Sequence, residues 1–197
     1  MNARVTAGWL AVAAALAGCA PRGSTAPQPL PAAPTVVILV RHAEKAATGG
    51  NDPDLTPVGR QRAEDLAVTL RNAGVEAVVV TERRRTHQTA APLVRARGLV
   101  PDTVGLGASV PEHAAAVARR VRERHAGRTV LVVGHSNTIP PIIAALGGPV
   151  FPEICDAVHS GLYVMVLRAN GPPQLIQSRY GAADPGAPEG CPAMQAR

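Results

Sequence analysis

The chain has 197 residues, with 20 Lys and Arg against 14 Asp and Glu, a formal net charge of +6. That surplus suits anionic small molecules or lipid head groups and is too weak to argue for nucleic acid, so no nucleic-acid partner is expected. The length allows one domain with a real core, and no internal repeat divides it.

The opening "MNARVTAGWLAVAAALAGCA" places Arg4 before an apolar stretch from Ala7 to Leu16 and small residues before Cys19. This order reads as an export signal. About a dozen apolar residues separate Arg4 from Pro21, short of the ~20 that a bilayer span needs. Leu16-Ala17-Gly18-Cys19 resembles the lipobox of bacterial lipoproteins. The resemblance implies a signal peptide over residues 1–18, acylation of Cys19, and a membrane partner through that lipid anchor at an extracytoplasmic face of the cell envelope. Residues 19–34, rich in proline, then read as an extended tether. With Cys19 taken by lipid, Cys155 and Cys191 remain. In an oxidising compartment they read as a disulfide clipping the Pro/Gly-rich tail, residues 182–197, onto a domain of residues 35–181; two free thiols are the alternative.

Within that domain the apolar run 35–40 predicts a buried strand. "LTPVGRQRAEDLAVTLRNAG" predicts a helix, with Thr56 as N-cap, Pro57 in the first turn, Ala63, Leu66, Ala67 and Leu70 on one face, and a stop at Gly74. A strand follows over 76–81, a helix over 85–97 before Gly98, and a helix over 111–127 with a basic outer face. The third buried strand is 129–135, a helix begins at Ile139, and 161–169 with 174–180 form a terminal hairpin turned at Asn170-Gly171-Pro172. Continuous apolar strands alternating with helices specify a three-layer α/β/α, doubly wound, mostly parallel sheet.

Ligands of such sheets sit beyond the carboxyl ends of the strands. Arg41-His42, residues 81–85 and His135-Ser136 each follow such an end and should converge on one crevice. Arginine presents a flat fork of donors that matches phosphate oxygens and keeps its charge, so Arg41 and one arginine of the 83–85 run suit a phosphoryl group. A neutral imidazole can attack phosphorus, and a second, protonated histidine would stabilise charge on the equatorial oxygens. No cofactor is required. No metal is expected either, because His87, His113, His125 and His159 lack ligand spacing. Ser136 and Asn137 read most simply as caps of the helix entering at Ile139. Glu44 and Lys45 read as substrate contacts or as a local ion pair at the rim, Arg83 and Arg84 as surface charge, and His159 more readily as lying outside the crevice than as overlooking it.

Arg41-His42-Ala43-Glu44, "LTPVGRQRA", "RRTHQTA" and "VVGHSNT", in that order, resemble the histidine phosphatase superfamily, also called phosphoglycerate mutase-like, over most of residues 35–146. The resemblance implies that His42 is the nucleophile, that Arg41 and Arg85 bind the phosphoryl group, and that His135 completes the pocket. Arg85 is the family's arginine because it precedes Thr86-His87-Gln88-Thr89-Ala90. Many members also carry an acid that protonates the leaving group. Glu112 is the first candidate here and Asp102 the second. The implied activity is a metal-independent phosphohydrolase acting on a small phosphorylated substrate, a phosphomonoester or phosphoramidate. The alternative is a lipid-anchored protein that binds a phosphate ligand with little or no turnover. The loops 46–54 and 101–112 are short, with almost no aromatic residue to grip a base or sugar, which favours a small or extended ligand over a nucleotide.

Overall fold

In a computed structural model of the chain, residues 33–184 are described. The expected signal peptide, Cys19, nearly all of the tether and the tail with Cys191 lie outside the described residues. The elements run β1 (Thr35–Arg41), α1 (Pro57–Thr69), β2 (Ala77–Val80), α2 (Arg84–Arg97), β3 (Asp102–Thr103), α3 (Val110–Arg124), β4 (Thr129–Gly134), α4 (Ile139–Ala145), β5 (Gly161–Leu167) and β6 (Gln174–Arg179). They build one six-stranded sheet in the order β3-β2-β4-β1-β5-β6. The pairs β1/β4, β2/β4 and β2/β3 are parallel, whereas β5 runs antiparallel to β1 and β6 antiparallel to β5. The sheet is therefore mixed and mostly parallel, with the expected hairpin as its antiparallel edge.

Side-chain alternation along the strands explains why both faces are covered. Val37 and Leu39 of β1 join Val79, Val130, Val132 and Met165 in a core closed by α3 and α4. Ile38 and Val40, one residue out of step, join Val78, Val80, Leu131 and Val133 under α1 and α2. Each of these central strands spends every residue on burial, so its first polar residue marks its end.

The helices start where capping chemistry allows. Thr56 accepts a hydrogen bond from the Gly59 N–H at 3.0 Å with Pro57 opening α1, and Ser109 accepts from the Glu112 N–H at 3.3 Å to open α3. Helix α2 closes on Gly98 in the left-handed conformation.

Some expected boundaries shift. Helix α1 ends at Thr69 and a turn, not the helix, carries the chain to Gly74, whose φ is +65°. Helix α3 ends at Arg124 rather than 127, capped at His125. Strand β3 was not expected from the sequence: two residues beside β2 at the sheet edge bury too little to leave a pattern. The folded contacts also continue past residue 181. Arg62 donates to the carbonyls of Tyr180 and Ala182, and Asp184 accepts from the backbone N–H groups of His159 and Ser160 at 2.8 and 3.0 Å.

Candidate active site

Strand register brings the polar clusters to one level. Arg41 lies opposite Gly134 and Val80 opposite Val133, so the residues that follow, His42, Thr81 and His135, emerge side by side. The His42 N–H extends the ladder by donating to the Gly134 carbonyl at 2.9 Å. Gly134 is required by close approach, since a Cβ there would meet Thr138 Oγ1 and Ile139 Cδ1 at 2.8 Å. The His42 and His135 rings lie edge to face, 5.3 Å between centroids.

His42 is 3 % exposed. Its Nδ1 lies 2.8 Å from the Ala43 carbonyl. A carbonyl only accepts, so Nδ1 carries the proton and Nε2 keeps a free lone pair. Burial pushes the imidazole pKa down to about 2, with His135, Arg41 and Arg85 lowering it further against the Ala43 hydrogen bond. The ring is thus neutral at physiological pH, with its lone pair on Nε2. Its backbone is clamped on both sides: Thr89 Oγ1 accepts from the Ala43 N–H at 3.0 Å, and His159 Nδ1 donates to the His42 carbonyl at 3.0 Å. His159 therefore supports His42 from behind, with ring centroids 6.1 Å apart.

The two arginines are pinned differently. One terminal nitrogen of Arg41 donates to the carbonyls of Cys155, Asp156 and Val158 at 2.8, 3.0 and 3.1 Å, and the other pairs with Asp156 at 2.9 Å. Arg85, in the first turn of α2, has Asp52 at 3.6 Å. Burial lowers both pKa values, opposed chiefly by Asp156 and Asp52 respectively, yet a guanidinium keeps its charge in proteins. The Nε atoms of both are buried and have no hydrogen-bond partner among the described residues.

His135 is held on both ring nitrogens. Arg85 lies 3.4 Å from its Nδ1 and Thr81 Oγ1 lies 3.0 Å from its Nε2. Because a guanidinium only donates, Nδ1 is the lone-pair nitrogen and Nε2–H donates to Thr81. Burial first, and Arg85 next, push the pKa down to about 3. The second histidine is therefore neutral in the free protein, and the charged form expected from the sequence belongs to the transfer step.

The crevice measures about 660 Å³ and is lined on its floor by Arg41, His42, Arg85 and His135. Arg83 lines it too, whereas Arg84 is surface charge paired with Asp54. Glu44 and Lys45 form no pair with each other: Glu44 turns to the buried Arg62 at 2.7 Å, and Lys45 faces the crevice. Ser136 and Asn137 do not cap α4. The cap residue is Thr138, whose hydroxyl instead accepts from the His135 N–H at 2.8 Å, and Ser136 donates to Glu153 at 2.8 Å.

Neither expected acid lines the crevice. Glu112 is exposed on the first turn of α3, where its carboxylate turns toward Gly107 in a separate depression with His113 and Arg119. Asp102 bonds to Arg120 and lies 3.4 Å from His125 Nε2. Burial would raise its pKa, but those bonds outweigh it and hold the carboxyl below its usual range. The carboxylates that do line the crevice, Glu153 and Asp156, sit in the segment between α4 and β5, whose irregular backbone carries no periodic signal. Cys155, in the same segment, is disulfide-bonded. Among the described residues no group of His, Cys, Asp and Glu is arranged to hold a metal ion.

Residues 37–105 match the family model of the histidine phosphatase superfamily, branch 1. That stretch carries β1, α1 and α2 with Arg41, His42 and Arg85. No curated protein sequence matches the chain. Among solved structures, a mycobacterial hydrolase is similar over 77 % of this chain and 92 % of its own, at 19 % identity and a TM-score of 0.57. The mycobacterial glucosyl-3-phosphoglycerate phosphatase is similar over 75 % and 99 %, at 19 % identity and a TM-score of 0.53. A mutant phosphoserine phosphatase from Entamoeba histolytica, solved with phosphoserine, is similar over 74 % and 96 %, at 14 % identity and a TM-score of 0.52. At these identities the likeness is one of fold.

Proposed function

We propose that the chain is a metal-independent phosphohydrolase of the histidine phosphatase type, acting on small phosphomonoesters or phosphoramidates through a phosphohistidine at His42. The observation that carries this reading is the neutral His42 ring. Its proton is fixed on Nδ1 and its Nε2 is free, on a crevice floor shared with Arg41 and Arg85. The match over residues 37–105 and the phosphatase names of structural neighbours support it.

Arg41 and Arg85 would hold the phosphoryl oxygens while Nε2 attacks in line, forming the N–P bond as the P–O or P–N bond to the leaving group breaks. A bound dianion reverses the local field at His135, which then takes up a proton and donates to an equatorial oxygen. Water finally attacks the phosphohistidine and releases phosphate. Hydrolysis of an aryl phosphate that persists in EDTA and drops at least ~10³-fold in His42→Ala is the expected outcome. Loss of turnover in EDTA with recovery on adding a divalent metal would refute the metal-free mechanism.

The position of Glu112 outside the crevice favours a second reading, a protein that binds a phosphate ligand without turnover. Tight vanadate binding with no hydrolysis across aryl, alkyl and amide phosphates would select it. We also propose the cell-envelope location from the leader and Cys19; labelling with a radioactive fatty acid that disappears in Cys19→Ala tests that anchor.

A further inference from the structure

In-line displacement puts the leaving group opposite the attacking nitrogen. His42 lies at the floor of the crevice, so the leaving group must face its mouth. Two exposed carboxylates, Glu153 and Asp156, line the crevice. Asp156 is committed as the counter-ion of Arg41, at 2.9 Å. Glu153 enters no ion pair among the described residues. One of its oxygens, Oε1, accepts from Ser136 Oγ at 2.8 Å, and Oε2 has no hydrogen-bond partner among them.

Although exposed, Glu153 is not on a loose loop. Phe151 and Ile154 on either side of it are 7 % and 5 % exposed in the α3/α4 core, and the Ile154 N–H donates to the Ser136 carbonyl at 3.1 Å. The same segment supplies the three carbonyls that hold Arg41. A carboxyl group is thereby fixed beside the residue that follows His135, on the lining of the same crevice as His42.

We propose that Glu153 is the general acid and base of the site, the role that Glu112 and Asp102 are not placed to fill; this rests on His42 being the nucleophile. As the P–O bond of a phosphomonoester breaks, the protonated carboxyl gives its proton to the departing oxygen, releasing an alcohol and leaving a carboxylate. That carboxylate then takes a proton from the water that attacks phosphorus, the N–P bond to His42 breaks, and the carboxyl is restored as phosphate departs.

The test compares Glu153→Gln, which keeps an acceptor for Ser136, and Glu153→Asp with wild type and a Glu112→Gln control. The substrates are 2,4-dinitrophenyl phosphate, whose leaving group needs no proton, and glycerol phosphate, whose leaving group does. In Glu153→Gln the dinitrophenol burst should stay within about threefold of wild type while phosphoenzyme formation from glycerol phosphate falls ~10²-fold or more. Rates should fall more steeply with leaving-group basicity, Glu153→Asp should recover part of the loss, and Glu112→Gln should match wild type on both substrates. Equal losses on the two substrates, or no loss on glycerol phosphate, would overturn the assignment. Turnover by wild type with no phosphohistidine from either substrate would instead refute His42 as nucleophile.

Discussion

At the residue scale, burial sets the chemistry of the two histidines before any ligand arrives. His42 and His135 have pKa values pushed down to about 2 and about 3 from an ordinary 6.5. Unfolded, these rings take up protons as pH falls below 6.5; folded, they do not until far lower. The stability they contribute is therefore full above pH 6.5 and drains as pH falls through that value toward 3. Between pH 7 and 5 the lowered carboxyls of Glu44, Asp102 and Asp184 do not change charge, so the loss there reports imidazoles. Urea unfolding should show about 2 kcal/mol per histidine lost across that interval, with a shallower decline in His42→Gln and His135→Gln. An equal slope in wild type and both variants would contradict the burial account. Arginine chemistry gives a second expectation: Arg85→Ala should lower kcat/KM on aryl phosphates by roughly 10²-fold or more, with Arg85→Lys recovering only part, because a lysine offers charge without the fork. Steady-state kinetics check both, and full recovery by lysine would argue against a shaped phosphoryl site.

At the element scale, the motifs that read as signatures turn out to be the joints between elements. In "RRTHQTA", Thr86 and Thr81 share a hydrogen bond at 3.2 Å behind His135, Gln88 Oε1 accepts from the Leu55 N–H at 2.8 Å, and Thr89 holds the Ala43 N–H. In "LTPVGRQRA", Gly59 gives α1 room to pass the Glu44 carbonyl oxygen, with which a Cβ would collide. Arg62, 3 % exposed, binds Glu44 at 2.7 Å, faces Asp184 at 3.8 Å and donates to the carbonyls of Tyr180 and Ala182. Removing this cation strips Glu44 of its ion-pair partner, while Asp184 keeps Arg179 and Ser160, so Arg62→Ala should cost about 3 kcal/mol by urea unfolding. A loss below 1 kcal/mol would mean that the cluster is solvated rather than buried. These joints were legible because each rests on short-range pattern: an N-cap threonine, a first-turn proline, a strand that ends in charge. Their partners were not, since pairings such as Arg62 with Asp184 or Arg41 with Asp156 link residues more than a hundred positions apart and leave no local periodicity.

At the scale of the whole molecule, the sheet was legible for one physical reason. Strands buried on both faces must be continuously apolar, and a helix returning over the sheet requires the next strand to run parallel; residues 36–40, 77–80 and 130–133 satisfy that rule. What escaped was the irregular chain between α4 and β5, where the crevice draws Glu153, Asp156 and the carbonyls that seat Arg41. Loop chemistry of this kind is decided by where the scaffold delivers the backbone, and only coordinates reveal it.

The measurement that bears most directly on the account is covalent trapping. Wild type mixed with phosphate-labelled aryl phosphate, denatured in alkali and digested, should yield one labelled peptide containing His42, with phosphorus on Nε2 by NMR. His42→Ala should yield none, and EDTA should change nothing. Turnover without label, or label on His135 or any residue other than His42, would contradict it.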